Sequence, residues 1–105
     1  MSNLSLKIHP EAIAEAAAAR QWYQMRSHEA AGAFLAELDL GVKSIRDNPE
    51  IYPLYLHETR RYLLHRFPYL LIYRTTSTTI QIVAIAHSRR QPGYWKTRDS
   101  SLRSE

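Results

Sequence analysis

Basic and aromatic residues gather in the second half of the chain, and His87 stands among them. The members of this set are Arg60, Arg61, Arg66, His87, Arg89, Arg90, Tyr94 and Trp95. Histidine can accept or donate a proton near neutral pH, and arginine binds phosphate through paired N–H donors. Cleavage of RNA by its own 2′-hydroxyl requires both kinds of group. If the chain is a nuclease, His87, Arg61 and Arg66 are therefore the candidate catalytic residues.

Each of these residues also has a structural interpretation. His87 ends a predicted strand and could simply hydrogen-bond to the backbone there. Tyr94 and Trp95 could either join the arginines in a binding surface or pack their rings over the core, and we favour packing for these two. For the arginines a binding role is favoured, because they cluster both in charge and in sequence.

Charge is distributed very unevenly along the 105 residues. Residues 1–58 contain five Lys or Arg against eight Asp or Glu, whereas residues 59–98 contain eight Lys or Arg and no acid. Such a field attracts RNA, DNA or an acidic protein. We therefore expect the arginines of the second half to converge on one outward-facing surface.

Several classes of protein are disfavoured by composition. The chain has no cysteine, which argues against a disulfide framework and fits a cytoplasmic protein. It has no apolar run long enough for a membrane span or a signal peptide. The histidines show no ligand spacing and the three glycines form no phosphate-binding loop, so we expect no metal and no cofactor.

The first half of the chain predicts one strand and two helices. Leu4–His9 alternates apolar and polar residues, as a half-buried strand does. Pro10 suits the first turn of a helix that runs to about Met25, in which Glu11 and Glu15 complement the helix dipole. Ile13, Ala16, Ala17, Arg20 and Tyr23 are expected to share one face of this helix.

Ser27 predicts the cap of a second helix, which should end near Asn48. Its apolar residues recur at spacings of three and four, and so share one face: Phe34, Leu38, Val42 and Ile45.

The second half predicts the sheet. Pro49–Thr59 contains two prolines and no periodicity, and is expected to be a loop. Arg61–Leu64, Tyr69–Thr75 and Thr79–His87 are expected to be strands. The predicted fold class is α+β, in the order β-α-α-β-β-β, with a helical hairpin on one face of a four-stranded, mostly antiparallel sheet. This single domain covers residues 1–98, with a flexible C-terminal tail at 99–105. The other face of the sheet is expected to be uncovered by the chain's own helices.

Four segments of the chain resemble the RelE/ParE toxin superfamily in their order and spacing. They are Arg60-Arg61-Tyr62-Leu63-Leu64, Arg66-Phe67-Pro68-Tyr69, Ile72-Tyr73, and Ala86-His87-Ser88-Arg89-Arg90-Gln91-Pro92-Gly93-Tyr94-Trp95. The similarity extends from Ile8 to Arg98. It implies a toxin that a cognate antitoxin neutralises by wrapping around its surface, in a hetero-oligomer of toxin and antitoxin. We expect that antitoxin to contact Trp22 and Tyr23.

The resemblance offers two targets, and Leu70 bears on the choice between them. RelE-like members cleave mRNA on the ribosome, and usually carry an arginine where this chain has Leu70; ParE-like members inhibit DNA gyrase and are not thought to be nucleases. The missing cation favours the ParE-like branch and a protein that is not an enzyme. The alternatives are a ribosome-dependent mRNA endoribonuclease and a non-toxic basic nucleic-acid-binding domain.

Overall fold

The computed structural model describes residues 4–98, in which two helices pack against a five-stranded sheet. The predicted tail at 99–105 lies outside the described residues. The elements are β1 (Ser5–Ile8), α1 (Pro10–Gln24), α2 (His28–Asp47), β2 (Leu54–Tyr55), a short 3-10 turn (Leu56–Glu58), β3 (Thr59–Leu63), β4 (Tyr69–Thr75) and β5 (Thr79–His87). The strands lie in the order β1-β5-β4-β3-β2, with β1 parallel to β5 and the other neighbours antiparallel. The α+β class is confirmed.

Side-chain caps fix where the two helices begin. The His9 Nδ1 accepts a hydrogen bond from the backbone N–H of Glu11 at 3.0 Å, and Pro10 occupies the first turn as predicted. The Ser27 Oγ accepts from the backbone N–H of Ala30 at 3.2 Å, which confirms the predicted cap of α2. Neither helix in the described part of the chain is both long and apolar enough to cross a membrane.

The main core lies between the helices and the sheet. Phe34, Leu38 and Ile45 are buried along α2, so the predicted apolar face of this helix is confirmed. The Phe34 ring contacts those of Tyr23, Phe67 and Tyr69, at centroid distances of 5.4, 5.4 and 5.3 Å. This aromatic cluster joins both helices to the start of β4.

The predicted buried face of α1 was only partly right: Ala16 and Tyr23 pack against the core as expected, but Ile13, Ala17 and Arg20 are exposed. The buried residues are Ala12 and Ala19, while Ile13 is 56% exposed and Arg20 is exposed. Small alanines let α1 lie close to β5, so that the larger Ile13 is turned outward. Glu15 lies on the same face as Ala12 and Ala19 and is partly buried.

The sheet has five strands rather than the predicted four. Leu54 and Tyr55 of β2 lie inside the expected loop Pro49–Thr59, and pair with Arg60 and Thr59 of β3. As a result β3 begins at Thr59, two residues earlier than expected. A strand of two residues is too short to show an alternating pattern, so the sequence contained no periodic signal for it.

The second face of the sheet is covered in part by the end of the chain rather than by a helix. Residues 88–98, called here the C-terminal segment, bring Trp95 onto Ile72, Val83 and neighbouring alanines, where it is 1% exposed. Gly93 makes the turn with φ +91°, a conformation that favours glycine. A second, smaller core therefore covers part of this outer face.

We predict opposite effects for two glycines of α2. A Cβ at Gly41 would lie 2.8 Å from Leu71 Cδ1 and 2.9 Å from Tyr62 Cε1, whereas one at Gly32 would meet nothing within 4 Å. Gly41→Ala should lower the free energy of unfolding by about 1–3 kcal/mol through overpacking. Gly32→Ala, the matched control, should raise it by about 0.5–1 kcal/mol because glycine is a poor helix former. Urea denaturation measures both, and a Gly41→Ala variant as stable as the parent would contradict the close packing.

Candidate functional site

One carboxylate on α1 binds several partners from the end of the chain. Glu15 accepts from both Arg98 Nη atoms, each at 3.0 Å, and from the Tyr94 hydroxyl at 2.7 Å. The Arg90 Nη1 lies 3.4 Å away, and the Glu15 side chain is only 14% exposed. Charge-assisted hydrogen bonds of this kind offset the cost of burying a carboxylate. Glu15 therefore holds the C-terminal segment against α1.

The same contacts complete the edge of the sheet where β1 stops. The last backbone hydrogen bond between the end of β1 and β5 runs from the His9 N–H to the Ile82 carbonyl, at 2.9 Å. Beyond it, Glu15 Oε1 accepts from the Ile85 N–H at 2.9 Å, and Arg98 Nη1 donates to the Val83 carbonyl at 3.3 Å. Two side chains thus satisfy backbone groups of β5 that a longer β1 would have paired.

The environment of Glu15 fixes the protonation of its partners. Burial, and then the hydrogen bond to Glu15, raise the pKa of Tyr94 well above its ordinary value of 10.0, so this hydroxyl remains a donor. Burial opposes the charge of Arg98, but the hydrogen bond and charge of Glu15 outweigh it, and the pKa of Arg98 is raised. Tyr94 and Arg98 are therefore held as donors to the Glu15 carboxylate.

A groove of about 500 Å³, called here the α1 groove, lies between the second half of α1, the start of β4 and the end of β5. Both predicted antitoxin contacts line it. Trp22 is 51% exposed, whereas Tyr23 is partly buried in the aromatic cluster. Ile85, His87 and Arg90 line it as well. The groove is therefore largely apolar, with His87 and the paired Arg90 and Glu15 among its lining.

His87 has structural contacts in this groove. Its ring meets that of Tyr69 edge-on at 5.1 Å, and its Nδ1 accepts from the backbone N–H of Arg89 at 3.1 Å. This is the backbone-bonding interpretation considered for His87 from the sequence. The Nδ1 atom is consequently an acceptor here.

A second pocket, of about 540 Å³, lies at the β3 edge and is lined by Leu70 of the outer face as well as by Tyr62 of the main core. We call it the outer pocket. Arg61 lines it, with its guanidinium 4.9 Å from the Tyr55 ring, which in turn stacks on Trp95 at 5.6 Å. No acidic side chain within residues 4–98 pairs with Arg61. Leu70 lines the same pocket, so the cation expected of a nuclease is missing from beside Arg61.

The other arginines are not directed into this pocket. The Arg66 Nε lies 3.6 Å from Glu37 on α2, and the Arg60 Nη1 donates to the Tyr52 carbonyl at 2.7 Å. Arg90 lies over the Tyr94 ring, 3.6 Å from its centroid, on the α1 side. The expected convergence of arginines on one surface is therefore wrong.

Strand geometry explains this separation. Consecutive residues of a strand project to opposite faces, so Arg60 and Arg61 cannot share a surface. Acidic residues of the first half also form ion pairs with arginines of the second half. Arg66 pairs with Glu37, and Arg98 and Arg90 pair with Glu15. The three candidate catalytic residues consequently lie in three places: Arg61 in the outer pocket, Arg66 beside α2 and His87 in the α1 groove.

Sequence reasoning missed Glu15 and Arg98 as a pair. Glu15 was assigned to the helix dipole, but it lies three residues after Ala12 and four before Ala19, on the buried face. A carboxylate on a face of alanines signals a buried partner. Its partner is 83 residues away, and no local pattern identifies it.

We predict that Glu15→Ala destabilises the fold and frees the C-terminal segment. Arg98, whose side chain is 13% exposed, would keep a buried charge without its carboxylate, which costs about 3 kcal/mol. In a Trp22→Phe background, Trp95 is the remaining tryptophan, and its emission should shift to longer wavelength. Glu29→Ala, at an exposed position in the first turn of α2, is the control and should cost less than about 1 kcal/mol. Equal effects of the two substitutions would refute the role of Glu15.

Comparison with known proteins agrees with this architecture. The family model described as the ParE toxin of the type II toxin–antitoxin system parDE matches residues 6–92. A solved structure described as the chromosomal ParDE TA system from P. aeruginosa is similar in fold, with a TM-score of 0.70 and 24% identity. The alignment covers 80% of this chain and 95% of that chain. No curated protein matched the sequence. The chain belongs to the ParE toxin family of type II toxin–antitoxin systems.

Proposed function

We propose that this toxin acts by inhibiting DNA gyrase, and that a cognate antitoxin neutralises it by binding in the α1 groove. The observation that carries the first part is the separation of His87, Arg61 and Arg66 into three surroundings. Cleavage of RNA requires an acid or base and a cation at the same phosphate. A chain that distributes these groups so widely is better suited to binding a protein target than to cutting RNA.

Two further features of the structure disfavour the ribonuclease alternative. Leu70 in the outer pocket cannot neutralise the charge that develops on phosphorus. Arg66 is already paired with Glu37, which also accepts from the Arg66 backbone N–H at 3.2 Å. The cation of Arg66 is therefore partly satisfied by the protein itself.

The α1 groove suits an antitoxin segment because it combines apolar walls with a few polar side chains, among them Arg90 and His87. Trp22 offers an exposed ring, and Ile85 and Ala18 also line the groove. Apolar side chains of the partner would supply most of the affinity, and acidic ones would be steered by the excess positive charge of residues 59–98. The related solved structure is described as a ParDE system, which makes a hetero-oligomer of toxin and antitoxin the expected assembly.

The target is tested with purified protein. We expect the toxin to inhibit supercoiling by DNA gyrase, and expect mRNA in a translation extract to stay intact. His87→Ala should inhibit gyrase as well as the parent does, because His87 has no catalytic role. Cognate antitoxin added beforehand should relieve the inhibition. Intact gyrase activity together with cleaved mRNA would overturn the proposal in favour of the endoribonuclease.

The antitoxin surface is tested by truncating its exposed aromatic ring. Trp22→Ala should weaken antitoxin binding by about 2 kcal/mol, roughly thirtyfold, as expected for a central aromatic residue of an interface. Leu40→Ala is the control: Leu40 is 55% exposed, close to the 51% of Trp22, but lies on α2 away from the groove. Titration calorimetry gives both affinities. Unchanged affinity for Trp22→Ala would exclude the α1 groove as the antitoxin site.

A further inference from the structure

The edge of β3 has an open stretch directly beside Arg61. β2 pairs only with Thr59 and Arg60, and the chain before it contains Pro53. The Arg61 N–H donates to the Pro53 carbonyl at 3.1 Å, but proline has no N–H with which to return a bond to the Arg61 carbonyl. The Arg61 carbonyl oxygen therefore faces the open edge of β3.

The next backbone group along this edge is a donor. The Leu64 N–H donates to the Tyr69 carbonyl at 3.0 Å, toward β4. Because N–H groups alternate in direction along a strand, the Leu63 N–H points away from β4, to the same edge as the Arg61 carbonyl. One acceptor and one donor therefore lie side by side, in the spacing that an added strand would use.

Side chains beside this edge define what could bind there. Arg61 is exposed and has no acidic partner among residues 4–98, in contrast to Arg66, Arg90 and Arg98. Leu63 follows two residues later on the same face and is 57% exposed. The Tyr55 ring stacks on the buried Trp95, and the Arg61 guanidinium lies over the Tyr55 ring. The site therefore combines an unpaired cation, an exposed apolar side chain and open backbone groups.

We propose that an extended segment of the toxin's target protein adds to the open edge of β3, with a carboxylate on Arg61 and an apolar side chain over Leu63. The inference rests on the proposed action against a protein target. A protein segment fits better than a nucleic acid, because the pocket offers one unpaired cation beside leucines rather than a run of basic groups. The proposal puts target and antitoxin on different surfaces of the sheet.

Charge reversal at Arg61 tests this surface, with gyrase inhibition, growth inhibition and antitoxin affinity as three separate measurements. Arg61→Glu should raise the toxin concentration needed for half-inhibition of gyrase about tenfold or more, and should relieve growth inhibition. Its affinity for the antitoxin should stay within about twofold, because it is remote from the α1 groove. Arg46→Glu, an exposed reversal on α2, is the matched control and should leave all three unchanged.

Leu63→Ser is a second test that should not disturb folding, because the Leu63 side chain is largely exposed. Leu40→Ser, at a position 55% exposed, is its control. A selective loss of potency in Leu63→Ser supports the proposal even if Arg61→Glu is unstable. If either Arg61→Glu or Leu63→Ser inhibited gyrase as strongly as the parent toxin, the proposal would be overturned. Loss of antitoxin affinity without loss of potency would also overturn it. If the parent toxin leaves gyrase untouched but Arg61→Glu still abolishes growth inhibition, the gyrase assignment fails and the surface stands.

Discussion

A buried carboxylate must find partners, and in this toxin that requirement organises the end of the chain. Glu15 lies on the face of α1 that packs against β5, with its side chain 14% exposed. Removing such a charge from water costs several kcal/mol unless donors surround it. Arg98 and Tyr94 supply those donors from the C-terminal segment, and the Ile85 N–H supplies one from β5. Helix, sheet edge and C-terminal segment are thereby joined at one side chain.

Both candidate surfaces depend on this junction. On the α1 side, Glu15 and Arg90 contribute to the lining of the α1 groove, close to Trp22. On the outer face, the held segment presses Trp95 onto the sheet, and Trp95 supports the Tyr55 ring beneath Arg61. A toxin that must be recognised by an antitoxin and by a target gains from such a link, because one set of contacts keeps both surfaces in shape. Arg98 lies beyond residues 6–92, the part of the chain that the family model matches.

Much of the fold was predictable because it is periodic. β4 and β5 begin and end where the β-branched and aromatic residues predicted, and Phe34, Leu38 and Ile45 face the core as their spacing indicated. Part of the α1 face was mispredicted because its fully buried residues are alanines, which carry little apolar signal. The site was less predictable. Its decisive contacts join residues far apart in sequence, and summed charge does not reveal that acids of the helices pair with the arginines. Adjacency alone could have separated Arg60 from Arg61, since neighbours on a strand face opposite ways.

The Glu15 junction joins α1, the edge of β5 and the C-terminal segment in a member of the ParE toxin family. A double-mutant cycle on Glu15→Gln and Arg98→Gln, followed by urea denaturation, tests the junction most directly. The account predicts a coupling free energy of about 1–3 kcal/mol, with the double variant more stable than the sum of the single losses implies. Additive losses, with coupling near zero, would mean that the two side chains merely lie close together and that the C-terminal segment is held by other contacts.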